Sequence, residues 1–338
     1  MNIREYSVDG INELVKKWNI PPFRARQLIQ WLYQKGVRSY DDMTNLPKAL
    51  RDRLKEEAPL YPADIVDSQD SRDGTRKYIL RFHDGAEVEM VAMPTDSRLT
   101  VCVSSQIGCA MGCSFCATGK EGLKRNLLPG EMAEQVCIAQ RDMGMRASNV
   151  VIMGQGEPFQ NYEATISALR IMNGSDGMNI GARHMTVSTC GLLDGIRRFG
   201  KEPEQFTLAI SLHSAVQDTR DRLMPRMRNQ PIVELREAVR DYQRSSGRRV
   251  TFEYLLIKGV NEDDAHMKAL CEFCRGISCH VNFIPLNEVS ESPYRPAPKS
   301  RANRCIEILA HAGVEATLRD SRGGDIAGAC GQLKNMRL

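Results

Sequence analysis

Three cysteines crowd one short segment. Cys109, Cys113 and Cys116 stand in a C-x3-C-x2-C spacing within Cys109-Ala-Met-Gly-Cys113-Ser-Phe-Cys116. Three thiolates this close can each take one iron of a [4Fe–4S] cube, leaving the fourth iron without a protein ligand and open to a substrate or cofactor. An open position is what chemistry at a metal requires. The competing readings are a zinc site with a remote fourth ligand, or three unrelated cysteines. Zinc favours a C-x2-C pair matched by a second pair elsewhere. Two further thiols lie outside the motif. Cys102 precedes it, and Cys330 stands near the far end in Gly328-Ala329-Cys330-Gly331. Small neighbours leave Cys330 accessible, whereas a structural thiol more often sits among bulky apolar side chains. Spacing by itself leaves the role of both thiols open.

Such a motif needs a scaffold. From residue 100 to about 320, short β-rich runs alternate with helical stretches. The runs are 100–103, 149–153, 184–189, 206–212, 250–256 and 280–285; the helical stretches are 129–143, 161–173, 192–199, 231–246, 263–274 and 300–312. Six β/α units in succession predict a parallel α/β layer, an open sheet or a partial barrel. In such folds the chemistry sits at the C-terminal ends of the strands. Several strand ends carry polar or small residues: Gly154-Gln155-Gly156-Glu157-Pro158, Ser188-Thr189-Cys190-Gly191, Ser211-Leu212-His213 and Pro285-Leu286-Asn287. Each alone reads as a turn or cap. Together on one rim they form a candidate binding surface, where glycines admit a ligand to the backbone and a carboxylate can meet an ammonium group.

Upstream, residues 1–60 read as helical, with Ile11, Leu14 and Val15, then Leu28, Ile29, Leu32 and Tyr33, at helical spacing. Both tryptophans, Trp18 and Trp31, fall here, which predicts a small core of its own. Residues 74–93 change period. Tyr78, Leu80 and Phe82 alternate with Lys77, Ile79 and Arg81, and Asp84-Gly85 marks a turn before Glu87-Val88-Glu89-Met90-Val91. That pattern predicts a β-hairpin. The expected division is 1–62, a helical accessory domain whose charge reads as solvated helices or, more sharply, as an RNA-contacting appendage; 63–96, a hairpin linker; and 97–338, the core that carries the three-cysteine motif.

Composition narrows the class. Of 338 residues, 42% are apolar, enough for a buried core, so global disorder is excluded. No run approaches the length of a membrane span. The start is polar and lacks a secretory h-region, so a cytoplasmic protein is expected. Eleven cysteines in such a chain point to metal ligands or catalytic thiols rather than a disulfide framework. The net charge of +4 permits a nucleic-acid partner without demanding one. No coiled-coil heptad or exposed apolar patch is apparent, which makes a monomer the default.

The three-cysteine motif resembles that of the radical S-adenosylmethionine (SAM) enzymes, whose open iron chelates SAM and whose one-electron reduction generates a 5′-deoxyadenosyl radical. VCVSSQIGCAMGCSFCATG and RGGDIAGACGQL, with the helical head between them and the N-terminus, resemble the RlmN/Cfr family of radical SAM RNA methyltransferases over nearly the whole chain. The resemblance implies a partial (β/α)6 radical SAM barrel, with Cys109, Cys113 and Cys116 holding one [4Fe–4S] cluster. It implies that Gly156, Glu157, Ser188, Ser211, Leu212, His213 and Asn287 bind SAM, two molecules of which are used per turnover. Cys330 would be methylated by the first SAM. The radical from the second would abstract hydrogen from that methyl group, and the resulting carbon radical would add to an adenine amidine carbon. Cys102 would attack Cys330 to release the product, leaving a transient disulfide, and Glu89 would accept the proton. Glu157-Pro158, Ile284-Pro285-Leu286-Asn287 and Ser321-Arg322-Gly323-Gly324 look like the C2 rather than the C8 branch. Implied partners are 23S rRNA, tRNA and an external one-electron reductant. An adenine inside folded RNA would have to be flipped out to react. Gln155, and Met224-Pro225-Arg226-Met227-Arg228, depart from the family pattern without removing a thiol.

Two other signals carry less. Cys271, Cys274, Cys279 and His280 suggest a second metal site, against which stands the ordinary reading of buried helical thiols. Arg236, Arg240 and Arg244 form one helical stripe in an arginine-rich stretch, residues 218–249, that begins near Arg220. A solvated outer helix is the simpler account, and an RNA phosphate track the sharper one.

Overall fold

The computed structural model describes residues 2–287 and 292–334. The extreme ends of the first and last expected domains, residue 1 and residues 335–338, lie outside them.

Three helices open the chain: α1 (Val8–Lys17), α2 (Phe23–Ile29), continued by a π-helical turn over Gln30–Gln34, and α3 (Lys48–Glu57). Ser7 starts α1 by accepting from Gly10 N at 3.0 Å. The head shares its core with the body, contrary to the expectation of a separate one: a single apolar cluster runs from Trp18 and Leu32 into the sheet. The physical reason is a buried strut. Arg4 donates to Glu134 at 3.0 Å, and the same carboxylate oxygen accepts from Ala63 N. Glu134 belongs to a helix of the body, so head and body are tied in the interior.

The expected hairpin is a three-stranded meander: β1 (Asp64–Asp70), β2 (Arg76–Arg81) and β3 (Glu87–Pro94), all antiparallel. Asp84-Gly85 forms the predicted β2–β3 turn, with Ala86 N bound to the Asp84 carboxylate. The first strand escapes pattern reading because it is half-exposed and polar along DIVDSQD.

The chain then continues through β4 (Leu99–Cys102), β5 (Gln106–Gly108), α4 (Ala117–Lys120), β6 (Leu123–Asn126), α5 (Pro129–Met143), β7 (Ala147–Ile152), α6 (Tyr162–Asn173), β8 (Met185–Thr189) and α7 (Leu193–Phe199). It is completed by β9 (Thr207–Ser211), α8 (Gln217–Leu223), α9 (Ile232–Ser246), β10 (Val250–Leu256), α10 (Asp264–Cys274), β11 (Cys279–Pro285), α11 (Lys299–His311) and β12 (Ala316–Leu318). The six expected strands β4, β7, β8, β9, β10 and β11 are neighbours and parallel. A short β12 adds to β11, and β3 pairs antiparallel with β4, so the meander extends the same sheet. The ten-stranded order runs from β1 to β12 without closing. A small β5–β6 sheet stands apart. Helices pack α5 on α6, α7 on α9 and α10 on α11, the outer layer that right-handed β/α crossovers require. Among the described residues no helix is long and apolar enough to cross a membrane.

Candidate active site

The strand ends, the three-cysteine loop and the C-terminal tail enclose one cavity of about 260 Å³. Its wall includes Cys109, Cys113 and Cys116 from the loop between β5 and α4. It also includes Gly156 and Glu157 after β7, Ser188 on β8, Ser211 and His213 at β9, and Asn287 after β11. Cys102, at the end of β4, and Cys330, on the tail, complete it. Eleven of the thirteen residues singled out from sequence therefore meet in one space.

Two do not line it. Leu212 is fully buried and contributes through its backbone, its N–H donating to Glu253 O. Glu89 is buried behind the wall rather than exposed on its strand, 3.1 Å from Lys77.

Gly156 sits at φ 105°, and a Cβ there would come within 2.6 Å of Gln106 Cβ, so only glycine lets this turn close on β5. The neighbouring Glu157 is held on both oxygens, accepting from Phe159 N at 3.0 Å and Cys190 N at 2.7 Å. Burial raises its pKa against these bonds. His213, at φ 56°, accepts from Leu255 N through Nδ1 at 3.1 Å and meets Phe115 edge-on. Burial, then the nearby Arg220 charge, lowers its pKa to about 3, so the ring is neutral.

The tail is clasped at several points. Ala117 N donates to Gly331 O, Thr118 Oγ1 to Leu333 O and the Asn287 amide to Cys330 O. On the far side, the β1–β2 turn grips it through Ser71 and Arg72 N on Asp325, and Asp73 on Gly323 N. The meander is thus the cradle of the segment that carries Cys330. That thiol is exposed, whereas Cys102 is buried. Burial, reinforced by Cys330, pushes the Cys102 thiol up to about 12, while the Arg319 guanidinium works the other way.

Sequence reading missed Arg319 and Glu253, both in the wall. A lone acid within the apolar run VTFEYLL of β10 was the available signal for Glu253. Nothing in the local pattern marked Arg319.

The donor set fits a cluster. Among the described residues no three His, Cys, Asp or Glu side chains converge as one metal ion demands. Tetrahedral zinc pulls its thiolates onto a single point about 2.3 Å from each sulfur. A cube instead gives each thiolate its own iron, so three thiols spaced along one wall suit it. Burial raises Cys109 to about 11 and Cys113 further, each aggravated by neighbouring thiols. A cationic core bound there would favour their thiolate forms. The Cys271, Cys274 and Cys279 group lines a separate cavity.

A parallel β/α sheet with three thiols on the loop after its first parallel strand defines the radical SAM class. A radical SAM superfamily model matches residues 103–271, and one for the ribosomal RNA large subunit methyltransferase N-terminal domain matches residues 1–60. A crystal structure of a radical SAM methyltransferase from Sphaerobacter thermophilus superposes with a TM-score of 0.94 at 47% identity, covering 99% of each chain. A probable dual-specificity RNA methyltransferase RlmN of Symbiobacterium thermophilum is 45% identical over 97% of this chain and 90% of its own length. Its counterpart in Clostridioides difficile is 43% identical over 98% and 97%. The chain belongs to the RlmN family of radical SAM RNA methyltransferases.

Proposed function

We propose that this protein methylates C2 of adenosine in 23S rRNA, in the peptidyl-transferase region, and in tRNA at the adenosine 3′ of the anticodon, by way of a methylated cysteine. The observation that carries the reading is the shared cavity: Cys102 and Cys330, from opposite ends of the core, face the space lined by Cys109, Cys113 and Cys116. A binding factor needs neither of the two outlying thiols.

In this reading Cys109, Cys113 and Cys116 hold the cluster. Gly156, Glu157, Ser188, Ser211, Leu212, His213 and Asn287 hold SAM, the first through backbone approach and Leu212 through its main chain. Bound together, cluster and SAM supply a methyl group and a hydrogen-abstracting radical, with two SAM consumed per turnover. Cys330 carries the methyl group as a thioether at the mouth of the cavity, where an extruded base can reach it. C2 of adenine is electron-poor and cannot attack a methyl group itself, so carbon–carbon bond formation from a sulfur-bound carbon radical avoids that barrier. The radical adduct has to give up one electron, which the centre that supplied the radical could take back, and its C2 proton to Glu89, which shares a strand face with the cavity-lining Val91 and Met93 and has to be uncovered from Lys77 to reach the base. Cys102 attacks the sulfur of Cys330, frees the methylated base and leaves a disulfide that must be reduced before the next cycle. The head, residues 1–62, contacts RNA; the extension, 63–96, cradles the tail; the core, 97–338, does the chemistry. The enzyme acts as a cytoplasmic monomer supplied by an external one-electron reductant.

The test is anaerobic incubation of reconstituted protein with SAM, a reductant and unmodified rRNA or tRNA, followed by nucleoside analysis. 2-Methyladenosine that disappears in Cys330→Ala is the expected product. 8-Methyladenosine would reassign the regiochemistry, and SAM cleavage without methylated adenosine would sink the RNA assignment.

A further inference from the structure

Arg220 belongs to the arginine-rich stretch that sequence alone leaves between solvent and RNA. It is at neither: only 1% of it is exposed. Among the described residues no carboxylate pairs with it. Its bonds go to backbone carbonyls, from Nη1 to Ser211 O at 2.9 Å and Leu212 O at 2.6 Å, and from Nη2 to Cys190 O at 2.6 Å. These carbonyls lie at the C-terminal ends of β8 and β9, so the side chain straps together two strand ends of the cavity rim. Gly191, at φ 109°, leaves the room: a Cβ there would stand 2.9 Å from Nη2.

The same helix docks the three-cysteine loop. Leu223 O, one turn beyond Arg220 on α8, accepts from both Ser114 N and Ser114 Oγ, next to Cys113. The surroundings are apolar: Met111, Leu223, Met224 and Met227 form a buried cluster against which Cys109 and Cys113 pack. Met224 Sδ lies 3.2 Å from the guanidinium and also lines the cavity. A full positive charge thus sits in a low-dielectric layer directly behind the loop.

Carbonyl dipoles solvate such a cation but do not cancel its charge, and an uncompensated buried charge is costly. Three thiolates around an iron–sulfur cube make a net-negative centre, one unit more negative after one-electron reduction. In a low-dielectric surrounding, a fixed cation favours the more negative state.

We propose that Arg220 is a positioning residue that acts as the fixed counter-charge of the iron–sulfur centre, raising its reduction potential toward what an electron donor can supply. The inference rests on Cys109, Cys113 and Cys116 being the cluster ligands.

The experiment is a redox titration of reconstituted protein followed by the electron paramagnetic resonance signal of the reduced cluster, with iron content measured in parallel. Arg220→Gln keeps hydrogen-bond donors and removes the charge; its midpoint potential is expected to fall, and the fraction reduced at a fixed potential with it. Arg220→Lys keeps the charge, and a potential close to wild type is expected. Gly191→Ala displaces the guanidinium without removing it, so a smaller fall in the same direction is expected even if Arg220→Gln fails to load iron. An unchanged potential in Arg220→Gln, or in Gly191→Ala where the glutamine variant does not load, overturns the proposal, as does a lysine variant that falls as far as glutamine. Wild-type protein that binds iron but gives no reduced-cluster signal would instead sink the cluster reading, and this inference with it.

Discussion

Lys77 Nζ lies 3.1 Å from Glu89 Oε1, and both side chains are sealed from water at 2% and 1% exposure. They sit on the adjacent strands β2 and β3. Glu89 shares its strand face with Val91 and Met93, which do line the cavity. Ser104 Oγ donates to Glu89 O at 2.6 Å and ties this strand to the segment after β4. Removing one partner of a buried pair strands the other charge, which costs about 3–5 kcal/mol, whereas replacing both with apolar groups is often neutral. Lys77→Met is therefore expected to lower the unfolding midpoint sharply, and Lys77→Met with Glu89→Leu to recover most of the loss. Calorimetry of the three proteins decides it: a double variant no more stable than the single one means the pair is not what holds these strands.

The placement of Cys102 and Cys330 on one wall predicts different failures for the two thiols. Cys330→Ala removes the methyl carrier, and methylated adenosine should fall below detection. Cys102→Ala leaves the carrier but removes the group that cleaves the carbon–sulfur bond. RNA should then stay covalently attached to the protein, visible as a shifted band that survives denaturant. Free RNA carrying normal product from Cys102→Ala would exclude its role in release.

Regular elements were the legible part of this chain. Helix α5 (Pro129–Met143) follows from Pro129 at its first turn, Glu131 accepting from Leu128 N, and Gly144 in the left-handed region at its end. Strand β10 matches its apolar run residue for residue. What stayed hidden were features without a period. β5 and β12 have three residues each, too short for alternation to register. Lys77, read as the polar half of an alternating strand, faces an acid across the sheet instead. Arg220, read as surface charge, is held by carbonyls from two other strands. Local sequence reports which residue types follow one another. It does not report which carbonyl a buried cation reaches, because that depends on strands joined only in the folded sheet.

His213 gives the stability a pH dependence. Its pKa is about 3 in the fold and about 6.5 when unfolded, so between those values the unfolded chain binds the extra proton. Stability from this residue is present above pH 6.5 and lost as the pH falls toward 3. The limiting slope is about 1.4 kcal/mol per pH unit. His213→Asn, which can still accept from Leu255 N, should be less acid-sensitive than wild type. Burial of Glu157 and Glu253 raises their pKa values and acts in the opposite sense in both proteins, so the difference between the two melting curves isolates the histidine. Parallel curves from pH 7 to pH 5 would contradict this account.

Each arginine of the α9 stripe has a partner within the protein. Arg236 donates to Phe273 O at 2.9 Å and to Arg275 O at 2.5 Å, pinning the turn between α10 and β11. Arg240 pairs with Glu237, and Arg244 with Asp241, each a neighbour on the same helix. The helix belongs to the outer layer and runs back toward the start of β10, away from the strand ends where Cys330 waits. A phosphate track would need these cations aimed at a strand of RNA crossing the cavity mouth. Local pairs of this kind contribute little to stability, so neutralising them leaves the fold intact. Arg240→Gln with Arg244→Gln should therefore bind tRNA as wild type does, with the same slope of log affinity against log salt. Arg236→Gln should cost stability through the freed carbonyls while leaving that slope in place. If the double variant flattens the slope by about two charges, as loss of two phosphate contacts would, the stripe touches RNA despite its internal partners.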